Sequence, residues 1–146
     1  MAILSDILKT ACQNIDIKYY DGTAQEVAEK IARTGKMGLK KYPAVMFFKV
    51  DANKQTAENE WFNKYSNSFF AIANPIQANK MTKDTDFEQH EKIKVDLFKQ
   101  FAKDIRMFGL NHTPEHEIDR KYMMNGTDKL AVLEVKMNEI IIKKQC

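Results

Sequence analysis

The sequence predicts a single α+β domain, in which a mixed or antiparallel sheet is backed by one long helix and two shorter ones. Apolar residues recur at helical spacing in two segments and a capping box begins a third, which predicts the helices. Two apolar runs predict strands, one that begins after Pro43 and one that ends at Pro75. Asn125-Gly126 lies between two further strand-like segments and predicts a C-terminal β-hairpin. No linker or internal repeat divides residues 1–146, and 44% hydrophobic with 29% charged residues is typical of a globular domain.

The first half of the chain predicts two helices that alternate with strands. A helix is expected over roughly residues 3–13, and "DIKYY" (16–20) follows as a short strand. The second helix begins at Thr23, because Glu26 three residues later completes a capping box, and Gly35 is its expected end.

The stretch "YPAVMFFK" predicts a strand over 44–50 that is buried on both faces, because no polar residue interrupts Ala44 to Phe48. Residues 51–66 are mostly polar and predict a long exposed loop that projects from the body. "NSFFAIANPI" (67–76) then predicts a second apolar strand.

The second half predicts one long helix and the hairpin. Apolar residues every four positions, from Ile93 to Ile105, indicate an amphipathic helix over 84–108. "EIDRKYMM" and "DKLAVLEVKMNEIII" are the expected hairpin strands.

Charge and cysteine content restrict the possible functions. A net charge of +3 is too small by itself to indicate binding to a phosphate backbone. Cys12 and Cys146 cannot form a disulfide framework or a four-cysteine metal site, so a reducing environment is expected. The chain has no apolar stretch long enough for a membrane-spanning helix, and we expect it to be made and kept in aqueous surroundings.

Two groups of residues could carry metal chemistry. His112 and His116 have three carboxylates close by in sequence, a combination found in zinc and iron sites, but Pro114 separates the histidines and a solvated loop is the favoured explanation. The carboxylates are Glu115, Glu117 and Asp119.

Asp119, Glu134 and Lys136 resemble half of a nuclease site, where carboxylates hold a divalent metal beside a cation. The alternative is that Glu134 and Lys136 lie on the solvent-exposed face of a half-buried strand. The five glycines are too scattered for a nucleotide-binding loop, and we predict no catalytic residues, metal or cofactor.

One basic cluster lies between the second helix and the strand that follows it. It could contact DNA or an acidic partner, or it could be a solvated helix end. Its members are Arg33, Lys36, Lys40 and Lys41.

The order of elements resembles small tail-completion proteins of tailed bacteriophages, and the tail terminators in particular. The resemblance covers nearly the whole chain and rests on "KYPAVMFFK", the polar excursion, "NSFFAIANPI", the long helix and the hairpin with "DKLAVLEVKM". It implies a structural virion protein, assembled in the host bacterial cytoplasm, that forms a ring, commonly a hexamer. The implied partners are further copies of the chain, the tail tube protein and a head-completion or other neck protein, without a membrane or sequence-specific nucleic acid.

The resemblance also gives the excursion at 51–66 a purpose, because a projecting arm can reach the next subunit of a ring. Trp61, Phe62 and Tyr65 are the expected interface anchors, although they could also fold back on their own subunit. Lys36, Lys40 and Lys41 are expected to face an acidic partner ring and not the lumen, because the inner wall of a channel for DNA should not bind the phosphates that pass through it. The alternatives are a metal-dependent nuclease and a small adaptor that binds another protein through an exposed sheet edge.

Overall fold

A computed structural model describes residues 3–76, 87–103, 107–108 and 114–144. They form one α+β domain with a mixed sheet, which confirms the predicted fold class. The helices are α1 (Ile3–Asn14), α2 (Ala24–Lys36), the single turn α3 (Lys49–Ala52) and α4 (Glu88–Lys103). The strands are β1 (Lys18–Gly22), β2 (Ala44–Phe48), β3 (Gln55–Glu58), β4 (Phe62–Pro75), β5 (Met107–Phe108), β6 (His116–Asn125) and β7 (Asp128–Lys143).

The strands lie in the order β1, β2, β4, β7, with β3 beside β4 and with β5 and β6 beside β7. β1 and β2 are parallel and are connected through α2, whereas every other described pair is antiparallel. The strand of "YPAVMFFK" therefore lies inside the sheet, and Ala44 to Phe47 are buried. This confirms that the apolar run serves the core.

Helices cover the sheet on both faces. On one face α1 and α4 pack against the larger core cluster, to which β4 and β7 contribute Phe70, Ile72, Leu133 and Val135. On the other face α2 packs against a smaller cluster of strand side chains. Alternate residues of β4 and β7 therefore enter different cores, and this explains why their apolar stretches are continuous.

The boundaries of α2 confirm one prediction and correct another. The Thr23 hydroxyl accepts a hydrogen bond from Glu26 N at 3.2 Å, and the Glu26 carboxylate accepts one from Thr23 N, which is the predicted capping box. Gly35 does not end the helix, because α2 continues to Lys36. The left-handed residue that follows is Gly38, with φ +72°.

Two predictions of local structure were wrong. The strand β2 ends at Phe48, and Val50 belongs to the turn α3 instead. Residues 51–66 are not a loop: they contain the end of α3, the strand β3 and the first part of β4, which pairs with β7. Side chains with little apolar periodicity form strands here because the neighbouring strands supply hydrogen-bond partners.

The long helix is shorter than predicted. Within the described residues α4 spans Glu88–Lys103, and Met107 and Phe108 pair with Ile142 and Ile141 as β5. The predicted helix residues 84–86 and 104–106 lie outside the described part. The amphipathic pattern continued past Lys103 in the sequence, but the end of β7 offers unpaired backbone groups that β5 occupies.

A kink at Asn67 bends the sheet around the larger core. Asn67 has φ +58° and interrupts the β4–β7 pairing, which is otherwise in constant register from Phe62↔Lys143 to Pro75↔Leu130. Before the kink Tyr65 and Ile140 enter this core, and beyond it Phe70 and Val135 do, so the inward positions change from odd to even in β4. Both halves of the sheet consequently pack on the same two helices.

Candidate functional site

The turn between β3 and β4 presents the most exposed aromatic side chain in the described part of the chain. Trp61 is 67% exposed, whereas its backbone is held from two sides. The Asn59 side-chain oxygen accepts hydrogen bonds from Trp61 N at 2.7 Å and Phe62 N at 2.9 Å. Trp61 O accepts one from Lys144 N at 2.8 Å. The turn therefore holds the backbone of Trp61 in place while its indole lies on the surface, and we call this feature the hairpin tip (residues 59–61).

The other two predicted anchors do not share this exposure. Phe62 is half-buried, and Tyr65 is fully buried within the larger core cluster. Tyr65 faces inward because it lies opposite Ile140, on the face of the sheet that α1 and α4 cover. The prediction of Tyr65 as an interface residue was therefore wrong, and the sequence could not indicate it without the register of β4.

Polar side chains surround the hairpin tip. Lys144 pairs with Glu58 at 2.6 Å, and Lys64 pairs with Glu139 at 3.5 Å. An exposed aromatic residue inside a polar rim is the usual arrangement of a protein-binding anchor.

The basic cluster divides into exposed and paired side chains. Arg33, Lys36 and Lys40 are exposed, whereas Lys41 is half-buried and forms an ion pair with Asp128 at 2.6 Å. This hydrogen bond from Lys41 raises the pKa of its ammonium group. Lys41 is thus committed within its own subunit and is not the free cation that a partner ring would need.

The ion pair of Lys41 with Asp128 connects the segment before β2 to the turn between β6 and β7. The Tyr42 hydroxyl accepts a hydrogen bond from the Asn125 side chain at 3.1 Å and lies 3.4 Å from Asp128. Met37 and Leu39, between α2 and β2, are 68% and 49% exposed. These two exposed side chains were not predicted, although apolar residues within "KMGLKK" after a helix end are a visible signal.

The residues of the predicted nuclease site lie on one face of the β6–β7 hairpin. Asp119 lies directly opposite Glu134, and Glu117 lies opposite Lys136. Lys121 reaches both acids of the first pair, at 3.5 Å from Asp119 and 3.1 Å from Glu134, and Lys136 lies 3.1 Å from Glu117. Glu117, Asp119, Glu134 and Lys136 line a depression of about 320 Å³ together with Ile118, and their charges are paired with neighbouring side chains.

The histidine group is only partly described. His112 lies outside the described residues, and His116 is the first residue of β6, not part of a loop. The His116 Nδ1 atom lies 2.8 Å from Pro114 O, and its ring packs on Phe98 with centroids 4.8 Å apart. Among residues that the structure describes, no group of three or more His, Cys, Asp or Glu side chains could hold a metal ion.

The strand β6 is a surface that sequence reasoning missed. No residue of β6 is buried, and no other described strand pairs with its outer side. Ile118, Tyr122 and Met124 on this strand are 41%, 47% and 56% exposed. The run "YMM" was a usable signal, because three consecutive apolar residues on a strand place at least one on each face.

No described helix combines the length and apolarity needed to cross a membrane. Comparison of the chain with protein-family models, curated proteins and solved structures gave no match.

Proposed function

We propose that this protein is a structural, self-assembling virion subunit of the tail-terminator type. In this role, copies form a ring that ends the tail tube of a tailed bacteriophage and joins it to the neck. The proposal takes its biological setting from the resemblance in element order, and its interaction chemistry from the hairpin tip.

The single observation that carries the proposal is the exposed Trp61 on a rigid turn. Burial of a large aromatic side chain at an interface contributes strongly to association, and a side chain that is already in position loses little conformational entropy on binding. Trp61 N donates a hydrogen bond to the Asn59 side-chain oxygen and Trp61 O accepts one from Lys144 N, so the backbone that carries the indole is already in position.

The geometry of a ring gives a role to an exposed aromatic residue such as Trp61 at the end of paired strands. A ring of identical subunits uses a heterologous contact, in which one patch binds a different patch on the next copy. The hairpin tip lies at the far end of the paired strands β4 and β7, beyond the kink at Asn67. Trp61 is therefore exposed at the end of these two strands, where it can act as one half of such a contact.

Trp61 provides its own test because it is the only tryptophan in the chain. We expect its fluorescence to shift to shorter wavelength when the protein is mixed with tail tube protein, because the indole leaves water. The mass of the mixture, measured by analytical ultracentrifugation, should rise to that of a ring bound to the tube. In Trp61→Ala the ring should be lost, and Trp61→Phe should retain it in part.

Two results would overturn the proposal. One is an unchanged emission and an unchanged mass in the presence of tube protein. The other is a Trp61→Ala variant that forms rings as readily as the unmodified chain. Lys9→Glu, which changes charge on the exposed side of α1, is the control for a non-specific effect of substitution.

A further inference from the structure

The outer edge of β6 has the properties of a strand that pairs with another chain. β7 pairs with β4 on one side and with β6 on the other, and within the described residues nothing pairs with the second side of β6. Exposed edges carry unpaired backbone N–H and C=O groups that can template a further strand. The side chains of β6 indicate which strand could pair with this edge.

Two hydrogen bonds fix which backbone groups of β6 face outward. Lys129 O accepts a hydrogen bond from Ile76 N at 3.0 Å, so the backbone of Lys129 faces β4. Asn138 N donates to Glu115 O at 2.9 Å, so even-numbered residues of β7 face β6. Since antiparallel partners alternate between bonded and non-bonded pairs, Met124 opposite Lys129 does not bond to β7.

The same alternation applies along the strand in steps of two. The residues that direct their backbone groups to the open edge are Ile118, Arg120, Tyr122 and Met124. Arg120 lies at the centre of this set.

The side chains of β6 are complementary to a reversed copy of themselves. The acidic Asp119 precedes Arg120 and the basic Lys121 follows it, whereas Glu117 has Met123 at the equivalent distance and takes no part in the charge match. Large exposed apolar residues lie at equal distances on either side, with Ile118 two positions before and Tyr122 two positions after. A strand with this arrangement matches its own sequence when it runs antiparallel.

We propose that two copies of this chain associate through their β6 edges, antiparallel, about a two-fold axis at Arg120. In this register Asp119 lies opposite Lys121 of the second copy, and Ile118 lies opposite Tyr122 of the second copy. Each pair occurs twice, as an isologous contact requires. The two sheets then form one continuous sheet.

The neighbouring registers are less favourable. An axis at Asp119 places the two Asp119 carboxylates opposite each other, and an axis at Lys121 does the same with two ammonium groups. Directly opposed like charges on a sheet are destabilising.

The two Arg120 side chains that meet at the proposed axis are already compensated. Each guanidinium lies 3.3 Å from Glu91 of its own α4 and 5.7 Å from the centroid of the Phe87 ring. These contacts direct the side chain toward its own helix and supply a neutralising carboxylate. Asp119 and Lys121 are also paired within their own chain. The axis at Arg120 is favoured because, of the three, it is the one that sets both Ile118 opposite Tyr122 and Asp119 opposite Lys121.

The register is tested by charge reversal in two separate full-length variants. Asp119→Lys creates two lysine–lysine contacts across the axis, and Lys121→Glu creates two contacts between acids. We expect each variant to dimerise at least about tenfold more weakly than the unmodified chain, since opposed like charges are unfavourable.

A mixture of the two variants should form a heterodimer. The lysine introduced at position 119 of one chain then faces the glutamate introduced at position 121 of the other. The second pair across the axis is unchanged, with Lys121 of the first chain opposite Asp119 of the second. Both contacts are between opposite charges, so the mixture restores what each variant loses alone.

Sedimentation velocity over a range of concentrations measures the association, with one variant carrying a tag so that the heterodimer is distinguishable by native mass spectrometry. Circular dichroism verifies that each variant is folded. Lys9→Glu is the matched control, because it reverses a charge on α1 and should dimerise like the unmodified chain.

Three results would overturn the proposal: a monomer at every concentration, variants that dimerise as tightly as the unmodified chain, or a mixture of folded variants that stays monomeric. The inference does not depend on the proposed ring function. Trp61→Ala should leave the dimer intact while it removes the ring contact, so failure of one proposal is distinguishable from failure of the other.

Discussion

At the scale of single residues, position in the sheet decides what similar side chains do. Trp61 and Tyr65 lie four residues apart, yet one is 67% exposed and the other is fully buried. The difference arises because Tyr65 lies opposite Ile140 and its side chain enters the larger core cluster, whereas Trp61 lies in the turn before the strand begins. An aromatic residue near the hairpin tip is therefore either exposed or part of the core, according to its register.

This difference predicts unequal effects on stability. Tyr65→Ala should lower the free energy of unfolding by about 3–5 kcal/mol, because it removes a large side chain from a packed core. Trp61→Ala should change it by no more than about 0.5 kcal/mol, because the indole is mostly in water already. Urea denaturation monitored by circular dichroism measures both. Equal losses in the two variants would contradict the assignment of Tyr65 to the core and Trp61 to the surface.

At the scale of elements, the paired strands β4 and β7 depend on one unusual backbone position. Asn67 adopts a left-handed conformation, and its neighbours Ser66 and Ser68 both hydrogen-bond to the backbone of Lys54. On both sides of this position the two strands contribute side chains to the larger core cluster. Asparagine tolerates the conformation better than most residues, and β-branched residues tolerate it poorly.

Substitution at Asn67 should therefore follow backbone preference. Asn67→Val should lower the free energy of unfolding by about 1–2 kcal/mol, because valine is strained at positive φ. Asn67→Gly is the matched control and should be close to neutral, because glycine adopts this conformation without strain. Thermal unfolding compares the two variants. A valine variant as stable as the glycine variant would mean that the kink is not needed.

At the scale of the whole molecule, two helices on one face and one on the other enclose groups that can lose a proton. Burial raises the pKa of the Cys12 thiol to about 12 from an ordinary value of 9.0. The pKa of Tyr19 is also raised, first by burial and then by the negative charge of Asp21. The folded protein therefore keeps protons in alkaline solution that the unfolded chain releases.

The sign of the resulting pH dependence follows from linkage. Between about pH 9 and pH 12 the unfolded chain binds fewer protons, so the free energy of unfolding should fall as pH rises. Cys12 contributes at most about 1.4 kcal/mol per pH unit to this fall. In Cys12→Ala the decrease between about pH 8 and about pH 10 should be smaller, as measured by urea denaturation. Parallel pH curves for the variant and the unmodified chain would contradict a buried, protonated thiol.

Much of the fold follows from local patterns. The capping box at Thr23, the apolar run from Ala44 and the turn after Asn125 each specify structure through contacts within a few residues. The candidate surfaces follow less directly. The exposure of Trp61, the strand pairing around it, the ion pair of Lys41 and the open edge of β6 depend on residues far away in sequence.

The sequence by itself determined that this protein is one α+β domain with a doubly buried strand and a terminal hairpin, because periodicity, caps and turns act over short distances. Only the tertiary structure decided which aromatic residues are buried, where residues 55–66 pair and which edge of the sheet stays open. Those outcomes depend on the register between strands, and register is set by contacts between Tyr65 and Ile140 or Lys41 and Asp128 that no local pattern encodes.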